Sequence, residues 1–579
     1  MISVENLSYS FPQKELYNKI SFTLEDGQHC AFIGSNGTGK STLIDLIMHP
    51  EKYLFDGKLE KSSSCRIGYV SQFLGQDQNK DMTVFEYIAE EFIKQQNQMT
   101  LLCAEMETSS EIEALLEKYQ HVLDAFDAMD GNNFESNITK KLNLANLNRH
   151  ENLMISQLSG GEFKLIQVIK AMLVNPDLLI MDEPDVFLDF ERLNALKDLM
   201  NSHKGILLVI THNRYLLNHC FNKIIHLENT ELQEFNGRYI DYNFALLQRK
   251  IELQEQAAAE AEEIERNKKI IDKMRFDATY YTCATRGRTL HARVSHLERL
   301  EARRIKEPFV EIKQPQINLF TEPMEEETIA IKVDDYSLSF DDTLLEHVNF
   351  EIKSTDKVAL IGPNGTGKTT LLRDIYKNNH DSIKIKEGIQ VAFLSQLQGE
   401  MLTESNTILE EFLGVGFKTY EEIKSHLADY GFEDEVLRQK ISELSGGEKN
   451  LLQLAKIAVS NANLLLLDEP TSHLDTYSQI SLESAIANYN GAVLMVSHDF
   501  YTIANCVDYV LIIEDQAIRK MSTRKFRKMI YANHFDKDYL ENEQKKKEIE
   551  TKIALALQDK NFEVAKDLSE KLEELIRVL

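Results

Sequence analysis

The sequence predicts an α/β fold: two like domains, each a mixed sheet core with a helical subdomain, joined by a long α-helical hairpin. Three observations predict it. Four motifs occur twice in one chain. In each copy a glycine-rich loop stands between a short apolar run and an amphipathic stretch, the order of strand, turn and helix. Between the copies, Leu246 to Ile270 has neither Gly nor Pro and reads as one continuous helix.

The repeat fixes the organisation. Gly34-Ser-Asn-Gly-Thr-Gly-Lys40-Ser41 recurs as Gly362-Pro-Asn-Gly-Thr-Gly-Lys368-Thr369. Leu158-Ser-Gly-Gly-Glu162 recurs as Leu444-Ser-Gly-Gly-Glu448, and Met181-Asp-Glu-Pro184 as Leu467-Asp-Glu-Pro470. Ile210-Thr-His212 recurs as Val496-Ser-His498. The first copy holds 38 more residues between Gln72 and Ser159 than the second holds between Gln396 and Ser445. The surplus lies in 85–145, where apolar residues recur every three and four positions, so the first domain carries an inserted helical arm. The expected boundaries are 1–243 for the first domain, 244–328 for the hairpin linker, 329–535 for the second domain and 536–579 for a charged helical tail. A second hairpin helix follows Thr289 and ends before Pro308.

Composition narrows the class. Hydrophobic residues make up 43% and charged residues 27%, a globular balance. No apolar run approaches the roughly 18 residues of a spanning helix. The N-terminus lacks a basic stretch followed by an apolar core, so no signal peptide is expected. Cys30, Cys65, Cys103, Cys220, Cys283 and Cys506 form no C-x-x-C pair, which argues against a zinc site or a disulfide framework and for free thiols in the cytoplasm. The net charge is -28, which taken alone argues against a phosphate-rich partner.

The glycine-rich loops carry the chemistry. G-x-x-x-x-G-K-[S/T], after a strand (His29 to Ile33; Val358 to Ile361) and opening a helix (Thr42 to Met48; Thr370 to Ile375), is a phosphate loop. Gly34, Gly37 and Gly39, and Gly362, Gly365 and Gly367, let the backbone wrap phosphates so that its amides converge on negative charge. Asn36, Thr42, Asn364 and Thr370 belong to the same loops. Lys40 and Lys368 reach the terminal phosphates, while Ser41 and Thr369 offer a hydroxyl to Mg²⁺. Asp182 and Asp468 end apolar strands, where a carboxylate can hold the metal through water. Glu183 and Glu469 follow, each placed to polarise an attacking water.

L-S-G-G-E followed by an apolar strand and D-E-P resembles an ATP-binding cassette (ABC) domain, in both copies, over about three quarters of the chain. The resemblance implies two bound ATP molecules with Mg²⁺. It implies that Phe11 and Phe340 stack on adenine and that Gln72 and Gln396 are the Q-loop glutamines beside the metal and the water. His212 and His498 match the switch histidine that contacts the γ-phosphate. Ser159, Gly160, Gly161 and Glu162, with Ser445, Gly446, Gly447 and Glu448, match the signature that caps ATP bound to the opposite domain. The second D-loop, Thr471-Ser-His-Leu-Asp475, is close to the family pattern. The first, Asp185-Val-Phe-Leu-Asp189, has Val and Phe where the pattern has a small polar residue and His. Hydrolysis is expected at both sites, which need not be equivalent.

Two cassettes in one chain, joined by a helical hairpin and lacking membrane helices, resemble the ABC-F family. That resemblance implies an ATP-dependent ribosome-binding protein whose linker enters the tRNA exit site, facing 23S rRNA and P-site tRNA, with no membrane subunit and no obligate oligomer. The charge distribution agrees. Glu252 to Glu265 holds six acids and no base, whereas Asn267 to Lys306 holds 11 Lys or Arg against four acids. Cationic charge at one end of a hairpin suits a phosphate backbone. Lys273, Arg275, Arg286, Arg288 and Arg293 are the candidate phosphate contacts, and Tyr280 and Tyr281 can stack on unpaired bases. Within the family, the compact size and the D-E-P-D-V-F-L-D stretch resemble the group that displaces antibiotics from the peptidyl-transferase region. The alternatives are a housekeeping translation factor acting on stalled ribosomes, the ATPase subunit of an exporter and an ATP-dependent DNA-binding protein.

Overall fold

The structure is a computed structural model. It describes residues 2–11, 14–62, 65–72, 81–108, 112–186, 188–280, 294, 315–322, 328–340, 343–395, 401–534 and 539–577. Two compact units emerge: one made of Met1–Asn236 with Lys313–Ile530, the other of Gly237–Ile312 with Tyr531–Leu579.

The first unit holds both copies of the repeat. The first copy opens with β1 (Ile2–Phe11), β2 (Lys14–Leu24), β3 (His29–Ile33) and α1 (Lys40–Met48). Strands β4 (Asp56–Lys61) and β5 (Ile67–Val70) lead to the arm, α2 (Val84–Thr108), α3 (Ile112–Ala128) and α4 (Phe134–Leu144). Then follow α5 (Gly160–Leu173), β6 (Leu178–Asp182), α6 (Phe190–Ser202), β7 (Ile206–Ile210), α7 (Arg214–His219), β8 (Lys223–Glu228) and β9 (Glu231–Asn236). A small antiparallel sheet has the order β2-β1-β4, and a larger one the order β5-β6-β7-β3-β8-β9. The larger sheet is parallel apart from β9. Its central strands are buried on both faces, which is why they read as unbroken apolar runs such as Ile206 to Ile210. Helix α1 buries Leu43, Ile44, Leu46 and Ile47 in the same core as Phe32, Ile180 and Leu208.

The second copy repeats this order. β10 (Ile329–Ser339), β11 (Thr343–Lys353) and β13 (Ile383–Ile385) make the small sheet. β14 (Val391–Leu394), β15 (Leu464–Asp468), β16 (Ala492–Val496), β12 (Lys357–Ile361), β17 (Tyr509–Glu514) and β18 (Ala517–Ser522) make the large one, in that order. Each strand takes the place of its counterpart in the first copy, so the sequence repeat is a repeat of topology. The arm is three helices, and α2 and α3 share a small apolar seam of Leu102, Leu115 and Val122.

The second unit contains α8 (Tyr239–Tyr280), 42 residues long, which is about 63 Å at roughly 1.5 Å per residue. The sequence reading placed about 25 residues in this helix and began the linker at 244. The helix starts earlier because Arg238 pairs with Asp241 in its first turn, and Tyr242 is fully buried. The tail forms two helices, Tyr539–Gln558 and Phe562–Ile576. Ile553, Ala556, Ala565, Leu572 and Ile576 pack with Ile251 of α8, and Lys566 bonds Glu255 at 2.6 Å. The tail therefore buries its apolar face on the linker helix. The second hairpin helix expected after Thr289 lies outside the described residues.

Candidate active site

Four neighbouring parallel strands, β5, β6, β7 and β3, end together, and each delivers one candidate residue just past its carboxyl end. These are Gln72, Asp182 with Glu183, His212, and the phosphate loop 34–41. The carboxyl edge of such a sheet is where α/β proteins bind ligands. In the second copy β15, β16 and β12 deliver Asp468 with Glu469, His498 and the loop 362–369. Gln396 lies outside the described residues.

Within each loop the lysine is nearly buried. Lys40 Nζ lies 2.8 Å from Gly34 O and 2.9 Å from Ser35 O. Lys368 Nζ lies 2.8 Å from both Gly362 O and Pro363 O. Burial lowers both ammonium pKa values, opposed by nearby carboxylates, of which Asp475 and Glu469 respectively act most strongly. The Ser41 hydroxyl meets Asp182, and Thr369 Oγ1 lies 3.1 Å from Asp468 Oδ1. Burial, then Glu183, pushes Asp182 up to about 6. These oxygen donors beside a phosphate loop fit Mg²⁺, a hard cation that prefers oxygen and usually takes its remaining ligands from water and nucleotide. Phe11 and Phe340 are exposed at the ends of β1 and β10.

The two copies face each other head to tail. Asn36 of the first phosphate loop donates from its backbone to Asp475 Oδ2 at 3.2 Å and from Nδ2 to His473 O at 2.9 Å. The second signature lies on this loop: a Cβ at Gly447 would stand 2.0 Å from Asn36 Nδ2, so only glycine fits. The first signature (Ser159 to Gly161) and the second loop (Asn364 to Thr370) line one cavity of about 550 Å³ together with Glu469 and His498, and Glu183, His212 and His473 border it too. Both signature serines act as helix N-caps. Ser159 Oγ donates to Glu162 Oε2 at 2.7 Å and accepts from Glu162 N at 3.3 Å, and Ser445 with Glu448 repeats both distances.

The glutamates differ. Glu183 accepts from Gln72 Nε2 at 2.7 Å, and His473 Nδ1 lies 3.1 Å from the same Oε2. His473 comes from the second copy. Burial works to raise the Glu183 carboxyl, but the His473 hydrogen bond, His212 and Lys40 outweigh it and hold it at about 2. Glu469 meets its own copy's His498, with Nε2 at 3.6 Å from Oε1, and burial against Asp468 pushes its carboxyl up. Burial, then the neighbouring lysine, brings His212 and His498 down to about 4, so both are neutral near pH 7. Among the described residues, His212 Nε2 has no hydrogen-bond partner.

Several residues of this arrangement were not singled out from sequence. Arg214 crosses between the copies to Glu483 and, at 3.1 Å, to Asp499, and it is almost fully buried. Its guanidinium stacks 4.7 Å above Tyr501. Lys164 bonds the backbone of Ser71 and Gln72, and Asn450 Nδ2 holds Pro470 O and Ser472 O, each at 3.0 Å. The available signal was the repeat itself: Arg214 aligns with Phe500, and Lys164 with Asn450, and departures from the repeat mark one-sided roles.

The family model described as ABC transporter matches residues 17–186 and 345–472, more than half of the chain. The chain belongs to the ABC transporter family. Its cassettes are ATPase domains, and the chain is an ATPase. Among curated relatives, the uncharacterized ABC transporter ATP-binding protein YfmM of Bacillus subtilis is 29% identical over 521 residues, covering 86% of this chain and 96% of the relative. ABC transporter F family member 5 of Arabidopsis thaliana is 28% identical, covering 89% and 75%. Among solved structures, one described as RNase-L Inhibitor gives a TM-score of 0.55 at 18% identity, covering 91% of this chain and 93% of that chain. A model of ribosome-bound archaeal Pelota and ABCE1 gives 0.55 at 16%, covering 92% and 80%. At such identities the likeness to these structures is one of fold. Among the described residues no helix is long and apolar enough to cross a membrane.

Proposed function

We propose that this ATPase is an ABC-F protein that binds the ribosome, closes on two ATP molecules and uses its linker to act in the tRNA exit site, displacing antibiotics from the peptidyl-transferase region. The observation that carries the reading is the head-to-tail facing of two cassettes in one chain whose linker begins with a 42-residue helix. The cationic stretch 267–306, in a chain of net charge -28, supports a nucleic-acid partner. So do the F-family relatives and the ribosome-bound state described for one structural neighbour.

In this reading the phosphate loops hold the β- and γ-phosphates through backbone amides and Lys40 or Lys368. Ser41 with Gln72, and Thr369 with Gln396, would hold Mg²⁺, and Asp182 and Asp468 would support it through water. Bound Mg²⁺ neutralises charge developing on the phosphate oxygens. Glu183 and Glu469 accept hydrogen bonds from the attacking water, Gln72 orients it, and His212 and His498 contact the γ-phosphate. The opposite signature donates from its helix N-terminus to the same γ-phosphate, so hydrolysis removes a shared ligand and lets the pair open.

Of the residues proposed for RNA, Lys273 is exposed on α8. Arg275 and Tyr280 lie on the same helix, and Tyr281, Arg286, Arg288 and Arg293 lie outside the described residues. Replacing Arg286 and Arg288 with Glu should abolish action on ribosomes while ATP binding stays nearly intact. Loss of ATP binding in that variant would reduce the linker to a structural part. Expression in a drug-sensitive host should raise minimum inhibitory concentrations for drugs of the peptidyl-transferase region. No change for any drug would favour the second reading, a housekeeping factor for stalled ribosomes.

A further inference from the structure

The two ATP sites are built differently, and the difference converges on one residue. His473 stands at φ 60°, a left-handed conformation that non-glycine residues seldom adopt. That backbone turns its ring across the cassette interface, where Nδ1 lies 3.1 Å from Glu183 Oε2 and 3.2 Å from Gln72 Nε2. Its carbonyl meanwhile accepts from Asn36 of the opposing phosphate loop. One residue thus touches three parts of the other cassette's site.

Two further contacts fix the arrangement, and both come from one position of the signature helix. In the second cassette Asn450, 5% exposed, clamps the D-loop through the carbonyls of Pro470 and Ser472, the residues leading into His473. In the first cassette the aligned residue is Lys164, fully buried, and it clamps the Q-loop through Ser71 and Gln72. So the same helical position serves the D-loop in one copy and the Q-loop in the other, and both clamped loops feed Glu183. The second site lacks the trans partner in its sequence: Phe187 aligns with His473, and a phenyl ring offers no hydrogen bond to Glu469. Glu469 instead receives the backbone amide of His498 at 3.3 Å, from within its own cassette.

We infer that His473 is a positioning residue acting in trans, which donates from Nδ1 to Glu183 and so orients it, and through it Gln72, so that the first ATP site hydrolyses faster than the second. In this arrangement the imidazole acts through the carboxylate. It fixes the carboxylate that polarises the water, and because it rides on the second cassette's D-loop, the first site is competent only when the cassettes are engaged. This inference rests on the reading that each phosphate loop takes one ATP.

Single-turnover hydrolysis tests it, with protein in excess over radiolabelled ATP, so that reopening is not required. Each site is read alone in the Glu469→Gln or the Glu183→Gln background. His473→Phe should slow the first site about 10–100-fold, a part of the 10²–10⁴ that a general base supplies. ATP affinity, read with a fluorescent analogue, should change less than twofold, which also reports that the variant folds. His473→Gln, whose side-chain amide can still donate to Glu183, should recover most of the rate. Asn450→Leu should slow the first site as well, and adding it to His473→Phe should slow nothing further, because both changes release the same carboxylate. Equal slowing in both backgrounds, no slowing in either, or weakened ATP binding in place of slowed chemistry would overturn the assignment. A stoichiometry of one ATP per chain would overturn the two-ATP reading separately, with the Glu469→Gln background still deciding on His473.

Discussion

Compare the two nucleotide sites. In the first, the opposing signature lies directly on the phosphate loop, with Gly447 against Asn36, and two side chains, Gln72 and His473, meet one carboxylate oxygen of Glu183. In the second, signature and loop line a cavity of about 550 Å³ that Glu183, His212 and His473 also border, and Glu469 leans on His498 of its own cassette. The same fold and nearly the same motifs thus give one glutamate met from across the cassette interface and, among the described residues, one met by the histidine of its own cassette. Shared motifs settle which chemistry is available. Residues between the motifs settle how tightly the parts are brought together.

The largest effect that tests this difference is on hydrolysis. Glu183→Gln should cost the first site about 10²–10⁴-fold and lower steady-state turnover more than Glu469→Gln does. Equal losses from the two variants in a phosphate-release assay would mean that the sites are functionally alike. Stability is next. Arg214 is buried against Glu483 and Asp499, while Phe500 takes its place in the second copy, so the ion pair joins the cassettes on one side only. Arg214→Ala takes the cation from two carboxylates that keep neutral donors, Thr502, Asn505 and the Tyr501 amide, and should cost about 3 kcal/mol in urea unfolding. A loss below about 1 kcal/mol would mean that the cassettes do not depend on this contact.

A smaller effect lies in acid. Burial favours protonation of Glu162, but Ser159 and Arg192 outweigh it and hold the carboxyl at about 2, against an ordinary 4.5. A depressed carboxyl stabilises the fold fully above its unfolded pKa, and that contribution is lost as pH falls from about 4.5 toward 2. Ser478 stands in the second copy where Arg192 stands in the first. Arg192→Ala should therefore move the acid-unfolding midpoint of the first cassette to higher pH, followed by tryptophan substituted at an exposed position of that cassette. An unchanged midpoint would remove Glu162 from the account.

Much of this was legible in the sequence because it rests on local pattern. The strands around the phosphate loops and the helical arm follow from local motifs and periodicity, while the head-to-tail pairing of the signature was implied by the resemblance to ABC domains. Contacts between residues hundreds of positions apart were not legible. Nothing local says that His473 reaches Glu183, 290 positions away, or that Arg214 finds Glu483. Only the mismatch between copies pointed there, and it was visible in the two D-loops. Linker length was underread because the amphipathic signal of α8 is weak: its surface is polar nearly all round, and its buried residues are set by the tail helices, far away in sequence.

The account's central claim is that ATP, held between two cassettes, commits the protein to the ribosome. The direct measurement is co-sedimentation of the Glu183→Gln/Glu469→Gln double variant with ribosomes in ATP and in ADP. Retention in the ribosomal pellet with ATP and release with ADP is the predicted result; a double variant that stays in the supernatant with ATP would contradict it.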